Sequence, residues 1–158
     1  MDVKAKLELL IDAVDTDIFT LLDDDDFLRQ SQNLIEQAHP GATGMRLTAV
    51  DGQKAEALIP YGQENRALHG LLHGGAYFTV GDTMTALMAA FHLEKKGQRM
   101  VTMNASIRYL RPVKTDTVVA QARLKSKAGN ELKFICDFLT AEGKKAAQAR
   151  YKYLLVQI

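Results

Sequence analysis

The chain holds 158 residues, 47% of them hydrophobic and 25% charged, the apolar content of a folded globular protein with enough length for one sizeable core. Twenty Lys and Arg against nineteen Asp and Glu leave a formal net charge of +1, without the basic excess that marks a general nucleic-acid binder. The single cysteine, Cys136, excludes an intrachain disulfide and any Cys-only zinc or iron–sulfur site, and it suits a reducing compartment, so a cytoplasmic location is expected.

The opening residues MDVKAKLELLIDAVD are amphipathic and broken by charge, unlike the apolar stretch of a secretory signal, and read as mature protein. The longest helical candidate, 75–93, is interrupted by Thr79, Asp82, Thr83, Thr85 and His92, so no membrane span is expected. Over residues 3–38, Leu7, Leu10, Ile11 and Val14, and then Phe27, Leu28, Leu34 and Ile35, recur at helical spacing before Pro40-Gly41 ends the pattern. Residues 1–40 are therefore read as a helical extension and 41–158 as the main domain. The cluster Asp23 to Asp26 stands just before the second pattern, where carboxylates cap free N–H groups and complement the helix dipole. Capping accounts for it better than a metal or partner site, since no other ligand type lies nearby.

Beyond Pro40 the texture changes. Segments 44–50 and 54–60 flank Asp51-Gly52, a dipeptide suited to the positive backbone angles of a tight hairpin turn. Phe78, Leu87 and Phe91 then sit among Ala and Met at helical spacing over 76–93, the one long central helix. Four strand candidates follow, 100–110, 115–125, 132–141 and 146–156, which read as a meander. In the third, Leu132, Phe134, Cys136 and Phe138 alternate with Lys133 and Asp137; in the fourth, Ala147, Ala149, Tyr151 and Tyr153 alternate with Gln148, Arg150 and Lys152. Ala128-Gly129-Asn130 and Glu142-Gly143 supply the turns. The sum is an α+β architecture in which an antiparallel sheet wraps its apolar face around one helix.

Chemistry concentrates in His69-Gly70-Leu71-Leu72-His73-Gly74-Gly75 and the helix that follows. Two glycines at a helix mouth let a ligand approach closely and leave unpaired N–H groups, a setting that favours developing negative charge. Asp82 lies about two turns further along, among Val80, Met84 and Ala86, where an ionised carboxylate is costly unless it has a partner or a task. Oxyanion donors and a carboxylate base or nucleophile together suggest carbonyl chemistry.

His73-Gly74-Gly75 with Asp82 nine positions after the His, the preceding His69-Gly70 and the later strand end Ile107-Arg108-Tyr109-Leu110-Arg111-Pro112 together resemble the hotdog-fold acyl-CoA thioesterases of the PaaI-like type. The resemblance spans roughly residues 42–157 and implies the hotdog fold and hydrolysis of an acyl-CoA to free acid and coenzyme A. It implies Asp82 as nucleophile or general base, with the Gly74 N–H polarising the carbonyl and His73 as an orienting hydrogen-bonding group. Thr102 falls where relatives often carry a Ser or Thr near the attacking water. Gly75 and, more weakly, Arg111 are implied on the substrate side. Relatives often place an Asn or Gln shortly before the HGG; the nearest here, Asn65, is displaced by about two positions. The resemblance further implies sites shared across a homodimer, with a dimer of dimers also open. No metal or redox cofactor is implied, coenzyme A entering only as part of the substrate.

Other readings of the same residues are blander or different. His69 and His73 have the i, i+4 spacing of zinc ligands, but the glycines argue against a helix across them and no third ligand is evident. Cys136 alternates with phenylalanines and reads as a core thiol. Met84, Met88, Met100 and Met103 suit an acyl tunnel or ordinary core, and Arg108, Arg111, Lys114, Lys125 and Lys127 suit coenzyme A phosphates or solvated strand ends. A non-enzymatic acyl-CoA-binding module is the alternative function. A hydratase would need a second acid–base pair that the sequence does not offer. The acyl group and the role of the N-terminal helices are not legible.

Overall fold

The computed structural model describes residues 2–158. Its elements are α1 (Val3–Asp12), α2 (Phe27–Glu36), β1 (Arg46–Val50), β2 (Lys54–Ile59), α3 (Gly74–Ala90), β3 (Gln98–Tyr109), β4 (Val118–Ala128), β5 (Glu131–Leu139) and β6 (Lys145–Gln157), with short 3₁₀ turns at His39–Thr43 and Gln63–Asn65. The inward positions of β5 and β6, from Leu132 to Phe138 and from Ala147 to Tyr153 in steps of two, are all buried. The period-two alternation thus faces α3, whose Val80, Met84, Met88 and Ala89 are fully buried against it. Cys136 and the methionines at 84 and 88 belong to this core, whereas Met103 is exposed. No helix among the described residues is long and apolar enough to cross a membrane.

All strand pairings are antiparallel, and the sheet order is β1-β2-β4-β5-β6-β3. The expected four-strand meander is therefore corrected. Only β4, β5 and β6 form one, while β3 lies at the far edge against β6. The chain reaches the far edge before α3 begins: Leu72 N donates to Val113 O, just beyond β3, at 2.8 Å, and the other end of α3 returns to the β1–β2 turn, where His92 Nε2 meets Gly52 O at 2.9 Å.

A second correction concerns Gly52, which does not adopt a left-handed conformation. The turn is closed by Asp51, whose Oδ1 accepts from the N–H groups of Gln53 and Lys54 at 2.7 and 2.8 Å. Glycine is needed for closeness: a Cβ there would sit 3.1 Å from His92 Nε2 and 3.2 Å from Phe91 Cβ at the end of α3. Gly81 is a stricter case, because a Cβ on that turn of α3 would run into the ring of Tyr151, whose hydroxyl donates to Phe78 O at 2.9 Å. Gly81→Ala is expected to cost about 1–3 kcal/mol by overpacking, read as a lowered Tm by calorimetry.

The N-terminal helices join the same core through Leu7, Leu10, Phe27 and Ile35, and Phe27 packs on Phe91 with ring centroids 4.3 Å apart. Capping by the acidic cluster is as expected: Asp26 Oδ1 accepts from Arg29 N at 3.1 Å, and Asp24 pairs with the Arg29 guanidinium at 2.7 Å. Lys6 Nζ donates to Leu93 O at 2.7 Å, and Asp12 Oδ2 accepts from Gly97 N at 2.8 Å, fastening α1 to the turn between α3 and β3. The irregular linker 13–26 is laced onto α2 by amides. Buried Gln30 exchanges two hydrogen bonds with the Leu22 backbone, and Asn33 and Gln37 both donate to Thr20 O.

Candidate active site

His73 stands at the N-cap of α3 with φ −67° and ψ 133°, and its Nδ1 accepts from the Gly75 N–H at 2.8 Å. The expectation of two free N–H groups at this helix mouth is thus corrected to one. The Gly75 donor is spent on the cap, and the Gly74 N–H makes no hydrogen bond among the described residues. The cap also fixes the tautomer, because an accepting Nδ1 leaves the ring proton on Nε2. Glycine at 74 is dictated by a close approach, since a Cβ there would lie 2.9 Å from Tyr109 Cζ. Tyr109 Oη donates to Gly74 O at 2.9 Å, holding the first peptide of the helix from the other side.

The loop before the cap is rigidly braced. His73 N donates to Asn65 O and Leu72 N to Val113 O, both at 2.8 Å. Gly70, at φ 84°, turns the chain and offers its carbonyl to Tyr61 Oη at 2.6 Å. Asn65 belongs to this bracing, a correction of its expected catalytic role. It is 3% exposed; both Nδ2 protons are spent on Thr43 O and Pro60 O, and Oδ1 accepts from Gly62 N. No donor remains for a substrate.

Asp82 is half-buried rather than buried, and the sheet supplies its partners. Thr102 on β3 and Tyr153 on β6 are directly opposite each other in the ladder, so their side chains share the inner face and reach one carboxylate oxygen. Thr102 Oγ1 donates to Asp82 Oδ1 at 2.9 Å and Tyr153 Oη to the same atom at 2.5 Å. The ladder slips between Thr102 and Asn104, a bulge of the kind that re-aims side chains beside functional sites. Burial, and then the neighbouring Asp82 charge, raise the Tyr153 hydroxyl far above the usual phenol range, so it remains a donor. Asp82 Oδ2 has no hydrogen-bond partner among the described residues.

Gly74 and Asp82 open on different spaces. The helix mouth faces a cleft of about 570 Å³ lined by His69, His73, Tyr77, Tyr109 and Arg111, where Arg111 is exposed and donates to Lys145 O at 2.8 Å. Asp82 borders a separate cavity between α3 and the N-terminal helices. Eight residues of helix separate the two groups, about 12 Å along the axis. One copy of the chain therefore cannot bring its own Gly74 N–H and its own Asp82 to a single carbonyl.

Of the residues expected at the site, the structure brings Thr102 to Asp82 and His73 to the Gly75 N–H, and it adds tyrosines that the sequence did not single out. Tyr153 was legible as an inward residue of β6, yet nothing in its own strand shows that β3 lies beside it. Tyr77, one turn beyond Gly74, has a buried hydroxyl with no partner, and burial pushes its pKa up to about 12.

The sequence profile of the Thioesterase superfamily matches residues 69–147, half of the chain and the stretch from the helix mouth to the start of β6. The chain belongs to the thioesterase superfamily. Solved structures share the fold of this superfamily member. A thioesterase of Haemophilus influenzae is 23% identical, with 87% of this chain and 96% of that one covered at a TM-score of 0.77. A Pseudomonas aeruginosa thioesterase is 21% identical, with 88% and 100% covered at 0.79. A hypothetical thioesterase protein of Streptococcus pneumoniae, solved with coenzyme A, is 18% identical, with 72% and 89% covered at 0.64. This antiparallel sheet around a long central helix is thus the hotdog architecture of those thioesterases.

Proposed function

We propose that this thioesterase-superfamily chain hydrolyses an acyl-CoA to a free acid and coenzyme A, in sites that each combine Gly74 of one copy with Asp82 of another. The observation that carries the reading is the pair of complementary half-sites: an unspent N–H at a helix N-terminus, and a carboxylate with one oxygen held by two hydroxyls and the other free. The coenzyme A held by the pneumococcal neighbour supports the substrate class.

In the proposed reaction the thioester oxygen accepts from the Gly74 N–H, and negative charge grows where the helix dipole favours it. Asp82 Oδ2 either takes a proton from water as that water attacks the carbonyl carbon, or attacks the carbon itself and is released by water. In both routes a C–O bond replaces the C–S bond and the leaving thiolate takes up a proton, so water is the sole co-reactant. Thr102 and Tyr153 hold Oδ1 and keep the other oxygen aimed. His73 orients the mouth through its cap, and Arg111, at the rim, suits an anionic phosphate.

Strand β3 supports the dimer. It is an unpaired edge of twelve residues that leaves Val101, Met103 and Tyr109 at least 40% exposed, the kind of edge that pairs with another strand unless it is blocked. The test combines light scattering with initial-rate release of free thiol from benzoyl-, phenylacetyl-, butyryl-, hexanoyl- and lauroyl-CoA. A dimer or a dimer of dimers with saturable turnover is expected. Saturable binding without turnover would instead mark an acyl-CoA-binding module, and an active monomer would overturn the shared site.

A further inference from the structure

Behind Asp82 the core holds two hydroxyls in line. Thr85 of α3 is fully buried and Tyr153 of β6 is 1% exposed, and Thr85 Oγ1 lies 3.0 Å from Tyr153 Oη. Tyr153 has a single proton and two acceptors at 2.5 Å, Asp82 O and Asp82 Oδ1. The ionised oxygen is the stronger acceptor and takes it. With that proton spent, the 3.0 Å contact is a hydrogen bond only if Thr85 is its donor.

The same two elements carry a plainer counterpart of each residue. Thr83 of α3 donates only to Thr79 O, at 2.7 Å, the back-bond usual for a threonine inside a helix. Thr85 makes that bond too, with Gly81 O at 2.8 Å and Asp82 O at 3.2 Å, but its hydroxyl also faces a phenol across the core. One threonine proton is therefore shared between the helix and Tyr153, a three-centre arrangement. On β6, Tyr151 donates to a single helix carbonyl, Phe78 O, at 2.9 Å. Two residues of strand rise about 6.6 Å and four of helix about 6 Å, so the next tyrosine on that face meets the next carbonyl in line, Asp82 O, and with it the carboxylate. The hydroxyls run from Thr85 through Tyr153 to Oδ1, the oxygen that Thr102 holds from β3.

We propose that Thr85 is a positioning residue for the hydrolytic step, acting on Asp82 through Tyr153. Its proton occupies one side of the phenol oxygen, so the phenol's own proton cannot turn back toward Thr85 Oγ1 and stays on Oδ1. Hydrogen bonds in a chain polarise one another, which strengthens the last of them. A fixed Oδ1 leaves Oδ2 in one orientation toward the acyl carbon or the attacking water. Without the threonine proton the phenol is free to turn to Asp82 O, and Thr102 alone holds the carboxylate. The assignment rests on the thioesterase reading, which makes Asp82 the reacting group.

The experiment measures kcat and KM on the fastest of the CoA esters for the intact protein, Thr85→Val, Thr85→Ser, Tyr153→Phe and the double variant Thr85→Val with Tyr153→Phe. Thr83→Val is the control for loss of a helical back-bond. Tyr153→Phe is expected to lower kcat by about 10- to 100-fold and Thr85→Val by about 3- to 10-fold, the ranges for hydrogen bonds to charged and to neutral groups, with KM unchanged. Thr85→Ser keeps the donor and restores kcat, and Thr83→Val retains it. The double variant is no slower than Tyr153→Phe alone, because a residue acting through another adds nothing once that other is gone. Wild-type kcat in Thr85→Val, no restoration by serine, or losses that multiply in the double variant overturn the proposal. Thr85→Ala, which only removes atoms, takes the place of a valine variant that does not fold. If no ester is hydrolysed, the thioesterase reading fails, and proton NMR decides the hydroxyl chain separately. The Tyr153 hydroxyl proton, identified by its loss in Tyr153→Phe, is expected downfield and slow to exchange, and it should move in Thr85→Val but not in Thr83→Val. A resonance indifferent to Thr85, or none at all, removes the chain.

Discussion

Asp82→Asn is expected to lower kcat for coenzyme A release by about 10²- to 10⁴-fold, the range for loss of a positioned general base, while KM changes little. The amide is nearly isosteric and still offers an oxygen to Thr102 and Tyr153, so the dimer and its Tm should survive. What disappears is the free anionic oxygen, which an amide cannot replace as base or as nucleophile. Single-turnover hydrolysis in ¹⁸O-labelled water bears on the two routes. Label in Asp82 with an unlabelled first product acid marks attack by Asp82 followed by water opening the anhydride at the Asp82 carbonyl. Label in the first product marks water reaching the acyl carbon, and trapping of an acyl-enzyme by hydroxylamine then tells direct attack from anhydride opening on that side. A variant that retains wild-type kcat would remove Asp82 from the chemistry.

The second large effect is expected from Gly74→Pro, which deletes a backbone donor without deleting the helix. Position 74 is the first residue of α3, where proline is favoured, and His73 already has the extended backbone that a following proline demands. Loss of a single oxyanion donor typically costs about 2.7–4 kcal/mol in the barrier, roughly 10²- to 10³-fold in rate. Proline also brings atoms against Tyr109, where a Cβ would lie 2.9 Å from the ring, so Gly74→Ala is the control: it crowds Tyr109 equally and keeps the N–H. The difference between the two variants is the contribution of the donor. Reassorting Asp82→Asn and Gly74→Pro chains tests the shared site directly. Half the dimers are hybrids with one intact site each, so about a quarter of wild-type activity should return in a two-fold dimer. Sites confined to single chains would return none.

What could be read from the sequence was whatever depends on local pattern. Alternation fixed the faces of β5 and β6, glycines marked the mouth of α3, and Asp26 announced the start of α2. What could not be read depends on which strands are neighbours. The hydroxyls of Thr102 and Tyr153 meet at Asp82 because β3 pairs with β6, a pairing that neither strand's own alternation encodes. The reading of Asn65 failed for a related reason. An amide near a glycine-rich loop looks like a catalytic donor until the surrounding carbonyls of Thr43 and Pro60, 22 and 5 residues away, are in place to consume it.

The fastening of α1 has a consequence for the birth of the molecule. Lys6 and Asp12 find their partners at Leu93 and Gly97, 87 and 85 positions later, which a ribosome adding about 5–20 residues per second takes roughly 4 to 17 s to supply. Through that interval α2 has only early partners such as Met45 and Leu47, which meet its Gln32, and neither helix has α3 to pack on. Tyr153 arrives later still, on the strand that zips β5 to β3. Nascent chains therefore pass through a long exposed phase and become competent only at the closing step, which makes the rate of elongation, as well as the native free energy, a determinant of yield.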